Sequence, residues 1–404
     1  MSADATAAAP ELEPQSLFGR ARDNIRGGTL GSWPVLIGLA VIVVFFSFKA
    51  DNFLSPGNFS NIITQMAGVT LLAYGFVFVL LIGLIVLSIS YISGIAGVVV
   101  AKLTVPDGNE VAGLVAILLA VAVCTLIGAF QGSFVAFIGV PAFVVTLAGY
   151  QIWQGVIQKS IEAEGVIVIQ DTTVNNTANY FFSNKAGWIL AAIVCAFYAA
   201  SVLSGVISHR RHGVAVRDAW LLVAKVVIVV AVAVVTVIIS NRDRGVPFVL
   251  LLMIASLLIL TFVAKRTTFG RHVYAVGGNA EAARRAGINV ARVRILVFMI
   301  SGAMSGLGGV VLAARLNSVD LNAGGGTLLI DAIAAAVIGG TSLFGGRGEV
   351  RDALFGALVI ATIANGLNTL NLTQGVIFIT TGGILLFAVT LDTVLRRRQR
   401  KAGR

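Results

Sequence analysis

The sequence is poor in the residue types from which most catalytic and metal sites are built. It contains only two cysteines and three histidines, and only 12% of its residues are charged. Cys124 and Cys195 both lie inside apolar runs and lack the spacing of a metal site or of a disulfide framework. The histidines lie in basic segments, and no Ser/His/Asp or paired-carboxylate arrangement can be assembled. We therefore predict a protein that is not an enzyme and that has no metal or cofactor of its own.

Long apolar runs take the place of these polar groups. Hydrophobic residues make up 57% of the chain, and the mean hydropathy is +0.95. Runs of roughly 17–25 apolar residues recur, which is the length of a helix that crosses a bilayer. Because the backbone must satisfy its polar groups internally in hydrocarbon, such runs predict helices. We expect an all-α integral membrane protein, a polytopic helical bundle of about 10–12 transmembrane helices. The candidate spans are 33–48, 62–86, 88–104, 111–138, 141–157, 187–207, 219–240, 246–264, 294–314, 327–344, 353–371 and 376–394.

The basic residues predict the orientation of the bundle. Most of the 29 Lys and Arg residues lie in 1–32, in the segment after the sixth span, in 265–294 and in 396–404. The positive-inside rule assigns these segments and both termini to the cytoplasm. We therefore divide the chain into a mobile cytoplasmic tail (1–32), one transmembrane domain (33–395) with the cytoplasmic loop 265–294, and a basic tail (396–404). The net charge of +11 then indicates contact with anionic lipid rather than with nucleic acid.

Two segments leave alternatives open. The segment 62–104 contains Gly83 and several further Ser and Gly residues, so it predicts either two crossings or one crossing followed by a broken, re-entrant piece. The segment 158–186, on the predicted exterior side, is long for a loop. It could cap the mouth of a pore, meet an extracytoplasmic partner or be a plain solvated loop.

Glycine occurs in two informative patterns. The pairs Gly128/Gly132 and Gly302/Gly306 each have the GxxxG spacing, which favours close helix packing within the chain or, alternatively, a dimer interface. The segment 339–348 is also rich in glycine. It lacks the Lys-Ser/Thr of a phosphate-binding loop, so we predict no nucleotide site in this chain.

The polar segment 267–294 contains the signature of a short helix. Asn279 is a candidate N-cap, Glu281 lies in the first turn, Arg284 and Arg285 lie in the last turn, and Gly287 can adopt the left-handed conformation that ends a helix. Such a helix has about two turns, which is too short to be stable alone in water. It predicts a surface that docks on a partner; the alternative is a solvated loop with a helical turn.

A few polar side chains lie within the apolar runs. Asp331 begins the tenth span, and an acid at such a place is a candidate functional group unless water or a helix N-terminus satisfies it. Amide side chains within spans suit a sugar-like solute, but they also join helices to one another. The amides considered as lining a substrate pathway are Gln131, Gln154, Asn365 and Asn368.

Four stretches together resemble the permeases of ribose/xylose-type ABC sugar importers. They are TFGRHVYAVGGN (268–279), AGINV (286–290), DAIAA (331–335) and GGTSLFGGRG (339–348). The resemblance covers about residues 60–395 and is closest to xylose-type permeases. In addition, the Glu281-Ala-Ala-x-x-x-Gly287 pattern matches the first half of the EAA loop of ABC importer permeases, without its later Leu-Pro.

The resemblance implies a coupling helix at 279–287, which would insert into a groove on a cytoplasmic ATPase subunit that has two nucleotide-binding domains. Its residues would be Asn279, Glu281, Ala282, Ala283, Arg284, Arg285 and Gly287. The resemblance also implies two permease chains around one pathway, an extracytoplasmic sugar-binding protein, and a multi-pass location in a bacterial plasma membrane. The implied cargo is a monosaccharide, such as the pentose xylose.

The sequence departs from the family near the end of an early span. Family members have an acidic residue followed by Leu-Ser and a Gly, whereas this chain keeps Leu87 and Ser88 but has Val86 and Ser90 at the other two positions. Ser88 is therefore a candidate gate residue. Two alternatives to an importer remain: a secondary transporter driven by an ion gradient, and a membrane subunit that has lost transport.

Overall fold

Helices account for most of this protein. The computed structural model describes residues 33–105, 111–211, 219–373 and 375–383, together with 386 and 390. The predicted tails 1–32 and 396–404 and most of the last predicted span, 376–394, lie outside these described residues. Four strands of two or three residues each are the only sheet structure in the described part of the chain.

The helices and strands are defined here in chain order. The helices are α1 (Trp33–Lys49), α2 (Pro56–Leu81), α3 (Ile89–Leu103), α4 (Gly113–Ser133, extended by a π-helical turn Phe134–Ile138), α5 (Ala142–Ile161), α6 (Thr172–Asn179), α7 (Asn184–Arg211), α8 (Ala219–Asn241), α9 (Phe248–Arg266), α10 (Thr268–Gly278), α11 (Ala280–Arg285), α12 (Val290–Leu316), α13 (Leu328–Ile338) and α14 (Val350–Thr369). The strands are β1 (Val166–Val168), β2 (Phe181–Phe182), β3 (Val246–Pro247) and β4 (Ser318–Asp320).

The helices have the lengths of a membrane bundle. Seven of those in the described residues are long and apolar enough to cross a bilayer, and three shorter helices are also apolar. The shorter helices are α1, α3 and α13. The prediction of a polytopic helical membrane protein is therefore confirmed.

α12 lies at the centre of the bundle, where it packs against α2, α3 and α4. Glycine makes this close packing possible. A Cβ atom on Gly302 would overlap the carbonyl oxygen of Cys124 in α4, and one on Gly128 would overlap the carbonyl oxygen of Phe298 in α12. The two predicted GxxxG pairs thus face each other within the chain, and the packing interpretation is confirmed.

The strands lie together at one end of the bundle, which we call the sheet end. β1 pairs antiparallel with β4, and β2 pairs antiparallel with β3. Between β1 and β2, α6 packs against α12, and the Asn179 side-chain amide donates a 2.7 Å hydrogen bond to the carbonyl oxygen of Ala314. The segment predicted as an exterior loop is therefore a folded cap on the helix ends rather than a plain solvated loop.

The opposite end, which carries α10 and α11, is called the loop end here. Two of the shorter helices are separated from their neighbours by breaks. α2 ends at Leu81 and α3 begins at Ile89, with the predicted interruption at Gly83 between them. α13 has only 11 residues, or about 16 Å, roughly half of a hydrocarbon core. It ends at Ile338, before the end of the predicted span 327–344, and Gly340, two residues farther on, has a positive φ of 115° that does not continue a helix.

The glycine contact between α4 and α12 leads to a stability prediction. Gly302→Ala places a methyl group against the backbone of α4, which cannot rotate away, so we expect about 1–3 kcal/mol of destabilisation. The midpoint of thermal unfolding of the purified protein should fall by several degrees. Gly155→Ala in α5 is the matched control, because nothing lies within 4 Å of its added Cβ. Equal midpoints for the two variants would contradict this packing.

Candidate coupling helix and transmembrane cavity

The short helix α11 forms with the predicted caps. The Ala282 N–H donates a 2.9 Å hydrogen bond to the Asn279 side chain, which is the N-cap interaction. At the other end, Gly287 has a φ of 83°. Its N–H bonds to the carbonyl of Arg284 and the N–H of Ile288 bonds to the carbonyl of Ala283, each at 3.0 Å. This pair of bonds is the Schellman motif, so the predicted helix termination is confirmed.

α11 contacts the rest of the protein through very little surface. Ala283 is its only buried residue, with 5% of its surface exposed, whereas its other five residues are not buried. Ala282 is exposed, and Ala286, which follows the helix, is exposed as well. Small side chains leave the helix backbone accessible to a partner. α11 is therefore held in place by its caps and presents a free face at the loop end.

The charges of α11 are partly paired within the helix. Arg284 and Arg285 contact the Glu281 carboxylate at 3.0 Å and 3.2 Å. The hydrogen bond from Arg284, followed by the one from Arg285, holds the pKa of Glu281 below its ordinary value. The carboxylate is therefore ionised at neutral pH, and the helix has a net positive charge. Because these pairs are exposed, they orient the side chains without adding much stability.

A cavity of about 520 Å³ lies among α3, the last part of α12, the segment 318–327 and the beginning of α13. Its polar side chains are Ser93, Ser318, Asp320, Asn322, Thr327 and Asp331. Glycines line much of the rest, together with aliphatic residues and Phe378. This volume lies within the range of ordinary ligand-binding sites, so a small polar solute fits.

The segment after β4 descends into the bundle beside α3. Val319 lies against Gly97, Ala323 lies against Gly94, and the backbone of Gly324 contacts the carbonyl of Ser90. From Gly97 to Ser90 the helix rises about 10 Å. Backbone that is not helical is tolerated at membrane depth only where it is buried in protein or lines a cavity, and this segment does both.

Asp331 lies in the first turn of α13 and faces this cavity. Its carboxylate accepts a 2.8 Å hydrogen bond from the Thr327 hydroxyl. Broken helices whose ends meet a cavity are typical of solute sites in transporters. Of the six predicted pathway residues, Asp331 is the one that lines the cavity.

Ser88 and Gln131 come together elsewhere, at the break between α2 and α3. The Ser88 hydroxyl donates a 2.8 Å hydrogen bond to the Gln131 side-chain oxygen, and both residues are buried. The nearby Leu87 N–H donates to the Thr146 hydroxyl at 3.1 Å. α4 and α5 thus stabilise the broken backbone, and these contacts favour the helix-joining interpretation of both side chains. Val86, at the position of the family's acidic residue, is only 2% exposed.

The remaining predicted pathway residues lie apart from the cavity. Asn365 is buried in α14, and its side-chain oxygen has no hydrogen-bond partner among the described residues. Asn368 is exposed at the end of the same helix, and Gln154 is half-buried in α5. Sequence reasoning missed the other polar residues of the cavity, which are Ser93, Ser318, Asp320, Asn322 and Thr327. The signal that could have found the last two is the Gly324–Gly326 run, since consecutive glycines before an apolar segment mark a broken helix.

Comparisons with known proteins identify the family. The family described as branched-chain amino acid transport system / permease component matches residues 58–391. The chain belongs to this permease family. A xylose transport system permease protein of Haemophilus influenzae is 35% identical over 379 residues, covering 93% of this permease and 99% of that protein. A protein of the same description from Escherichia coli K12 is 34% identical over 372 residues, covering 90% and 92%.

Further relatives have other named substrates. A ribose import permease protein of Escherichia coli K12 is 31% identical over 357 residues, covering 88% of this permease and 92% of that protein. No solved structure matches the chain. Since its relatives are transport permeases, this permease is a transport subunit and not an enzyme. Its apolar helices and its bacterial relatives make it a multi-pass protein of the plasma membrane.

The geometry of Gly287 leads to a prediction for α11. A Cβ there would meet nothing within 4 Å, so only the left-handed φ limits substitution. Gly287→Val should cost about 1–3 kcal/mol of local stability, whereas Gly287→Asn should cost much less because asparagine tolerates this conformation. Hydrogen exchange of a peptide covering 279–289 measures the difference. Similar exchange in the two variants would show that the Schellman motif does not hold the helix.

Proposed function

We propose that this permease imports a monosaccharide, a pentose such as xylose, and that ATP hydrolysis in a partner subunit drives the import. The observation that carries the proposal is α11, a capped helix whose free face needs a docking surface. The relatives named for xylose and ribose transport support a sugar as the cargo. The family description alone, which names branched-chain amino acids, would favour a different cargo.

The partner of α11 is an ATPase subunit with two nucleotide-binding domains. Ala282 and Ala286 allow close approach of another surface, while Arg284 and Arg285 supply positive charge at the rim. A groove with apolar walls and acidic edges has the complementary chemistry. Two copies of the permease around one pathway would place one α11 against each nucleotide-binding domain. An extracytoplasmic binding protein would deliver the sugar at the opposite face of the membrane.

The sugar would bind in the cavity beside α13. The Asp331 carboxylate accepts one hydrogen bond from Thr327 and has further lone pairs for sugar hydroxyl groups. Asn322 and Ser93 add neutral polar groups on the facing walls. A cavity with the two carboxylates of Asp320 and Asp331 and several neutral polar groups suits a polyhydroxylated, uncharged solute better than an aliphatic amino acid side chain.

The docking of α11 leads to a transport prediction. Ala282→Trp adds a bulky side chain to the exposed face of α11 without an internal clash, so it should block the partner groove. We expect uptake of labelled xylose to fall at least about tenfold. The assay uses cells that lack their own xylose permease and that express this chain with the ATPase and the binding protein of its importer. Membrane levels of the protein are checked in parallel.

Ala196→Trp is the matched control for this experiment. Ala196 is exposed in the middle of α7, a candidate membrane span, where neither the ATPase nor the binding protein can reach it. Its uptake should equal that of the unmodified protein. Equal uptake by both variants would remove the role proposed for α11. If the unmodified protein takes up labelled ribose but not xylose, the proposal of a sugar importer is retained and the proposal of xylose as its cargo is wrong.

The cavity leads to a second transport prediction. Asp331→Asn keeps the oxygen that accepts from Thr327 but removes the charge that strengthens bonds to sugar hydroxyl groups. We expect the substrate concentration for half-maximal uptake to rise about tenfold, corresponding to about 1.4 kcal/mol. Asp51→Asn, at an exposed position outside the cavity, is the control. An unchanged half-maximal concentration in Asp331→Asn would exclude the cavity as the sugar site.

A further inference from the structure

Three separate chain segments meet through their backbones at the loop end. They are the end of α10 at Gly277, the last residue of α2 at Leu81, and the Gly345–Gly346 pair in the loop after α13. The Gly346 N–H donates a 2.9 Å hydrogen bond to the carbonyl oxygen of Leu81. We call this three-way contact of Gly277, Leu81, Gly345 and Gly346 the glycine junction.

The glycine junction leaves no room for side chains. A Cβ on Gly277 would overlap the carbonyl oxygen of Leu81 and would lie 2.8 Å from the nitrogen of Gly346. A Cβ on Gly345 would lie 2.9 Å from both the carbonyl oxygen of Gly277 and the nitrogen of Gly83. Because backbone atoms touch backbone atoms, no rotating side chain can absorb a displacement between the segments.

Two side-chain contacts reinforce the glycine junction. The Tyr274 hydroxyl, one turn before Gly277, donates a 2.9 Å hydrogen bond to the carbonyl oxygen of Gly348. Burial, followed by the nearby carboxylates of Glu349 and Asp352, raises the pKa of Tyr274, so its hydroxyl remains a donor at neutral pH. The Lys265 ammonium at the end of α9 contacts Glu349 at 2.7 Å. The loop after α13 is thus bound to both helices that precede α11.

The three segments lead to the elements that matter for transport. Gly277 lies two residues before Asn279, the N-cap of α11. Leu81 is followed by the break 82–88 and then by α3, and Gly345–Gly346 follow α13. Both α3 and α13 line the candidate sugar cavity.

We propose that the glycine junction transmits displacement of α11 to α3 and α13, and so links the ATPase to the cavity walls. This inference rests on the proposed docking of α11. Gly277, Gly345 and Gly346 are then positioning residues for the transport cycle. If the junction only stabilised the fold, a substitution in it would lower stability alone. If the junction transmits displacement, the substitution would also prevent a displacement of α11 from reaching α3 and α13.

Gly277→Ala and Gly278→Ala form a matched pair. Both glycines lie in α10, so alanine adds the same helix preference at each position. The added methyl group of Gly277→Ala forces the junction apart, while nothing lies within 4 Å of a Cβ on Gly278. Only the first substitution should disturb transmission.

The experiment measures hydrogen exchange in the assembled complex of permease, ATPase and binding protein in lipid nanodiscs, with and without a nonhydrolysable ATP analogue. Peptides covering 279–289, 82–88 and 339–349 report on α11, on the break before α3 and on the loop after α13. In the unmodified protein and in Gly278→Ala, the analogue should change exchange about tenfold in all three peptides. In Gly277→Ala, the change at 279–289 should persist, and the changes at 82–88 and 339–349 should be lost.

The possible results separate the two proposals. A response at 279–289 without any response at 82–88 and 339–349 in the unmodified protein would overturn the junction and leave the docking of α11 intact. The same responses in Gly277→Ala and Gly278→Ala would also overturn it. No response at 279–289 in the unmodified protein would overturn the docking and the junction together.

Tyr274→Phe keeps the test decisive if Gly277→Ala fails to assemble. This substitution removes one hydrogen bond to Gly348 and introduces no clash. It should weaken the response at 339–349 while 279–289 responds as before. An undiminished response at 339–349 in Tyr274→Phe would overturn the proposal.

Discussion

In hydrocarbon every backbone N–H and C=O must find a partner within the protein, and this constraint determines where the helices of the permease can stop. At the break after α2, the Leu87 N–H bonds to Thr146 and the Leu81 carbonyl accepts from Gly346. The segment before α13 lies against α3 and lines a cavity. Each break is therefore supported by contacts from distant parts of the chain, which brings those parts together at the places where helices end.

The parts of the fold and site that sequence reasoning predicted are governed by local interactions. The N-cap at Asn279 and the left-handed Gly287 depend on groups within five residues of each other, so their sequence pattern determines them. The apolar runs predict the helices for the same reason, because each helix satisfies its backbone within itself. The GxxxG pairs Gly128/Gly132 and Gly302/Gly306 extended the prediction to packing between helices, because small residues at this spacing let two helix backbones approach closely.

The parts that the sequence did not predict depend on partners far along the chain. Ser88 looks like a pathway residue in the sequence, yet its hydroxyl bonds to Gln131, 43 residues away. No local rule indicates that pairing. The half-length of α13 was missed because the predicted span was continued through Gly339 and Gly340 to residue 344, whereas the helix ends at Ile338, before Gly340 with its φ of 115°. Gly277 likewise has an ordinary helical environment in the sequence, and its need for glycine comes from Leu81 and Gly346, which are both far along the chain.

The glycine contacts also indicate where the cavity walls can move relative to each other. Ala323 and Gly324 are pressed against the backbone of α3, whereas the carbonyl of Ala335 in α13 is pressed against Gly356 of α14. Gly326 lies between these two locked parts, with a φ of 65° and nothing within 4 Å of an added Cβ. The space beside Gly326 is therefore open, whereas the backbone before and after it is closely packed. We expect a displacement of α13 relative to α3 to be absorbed most easily there, one residue before Thr327, where it would change the distance between the two polar walls of the cavity.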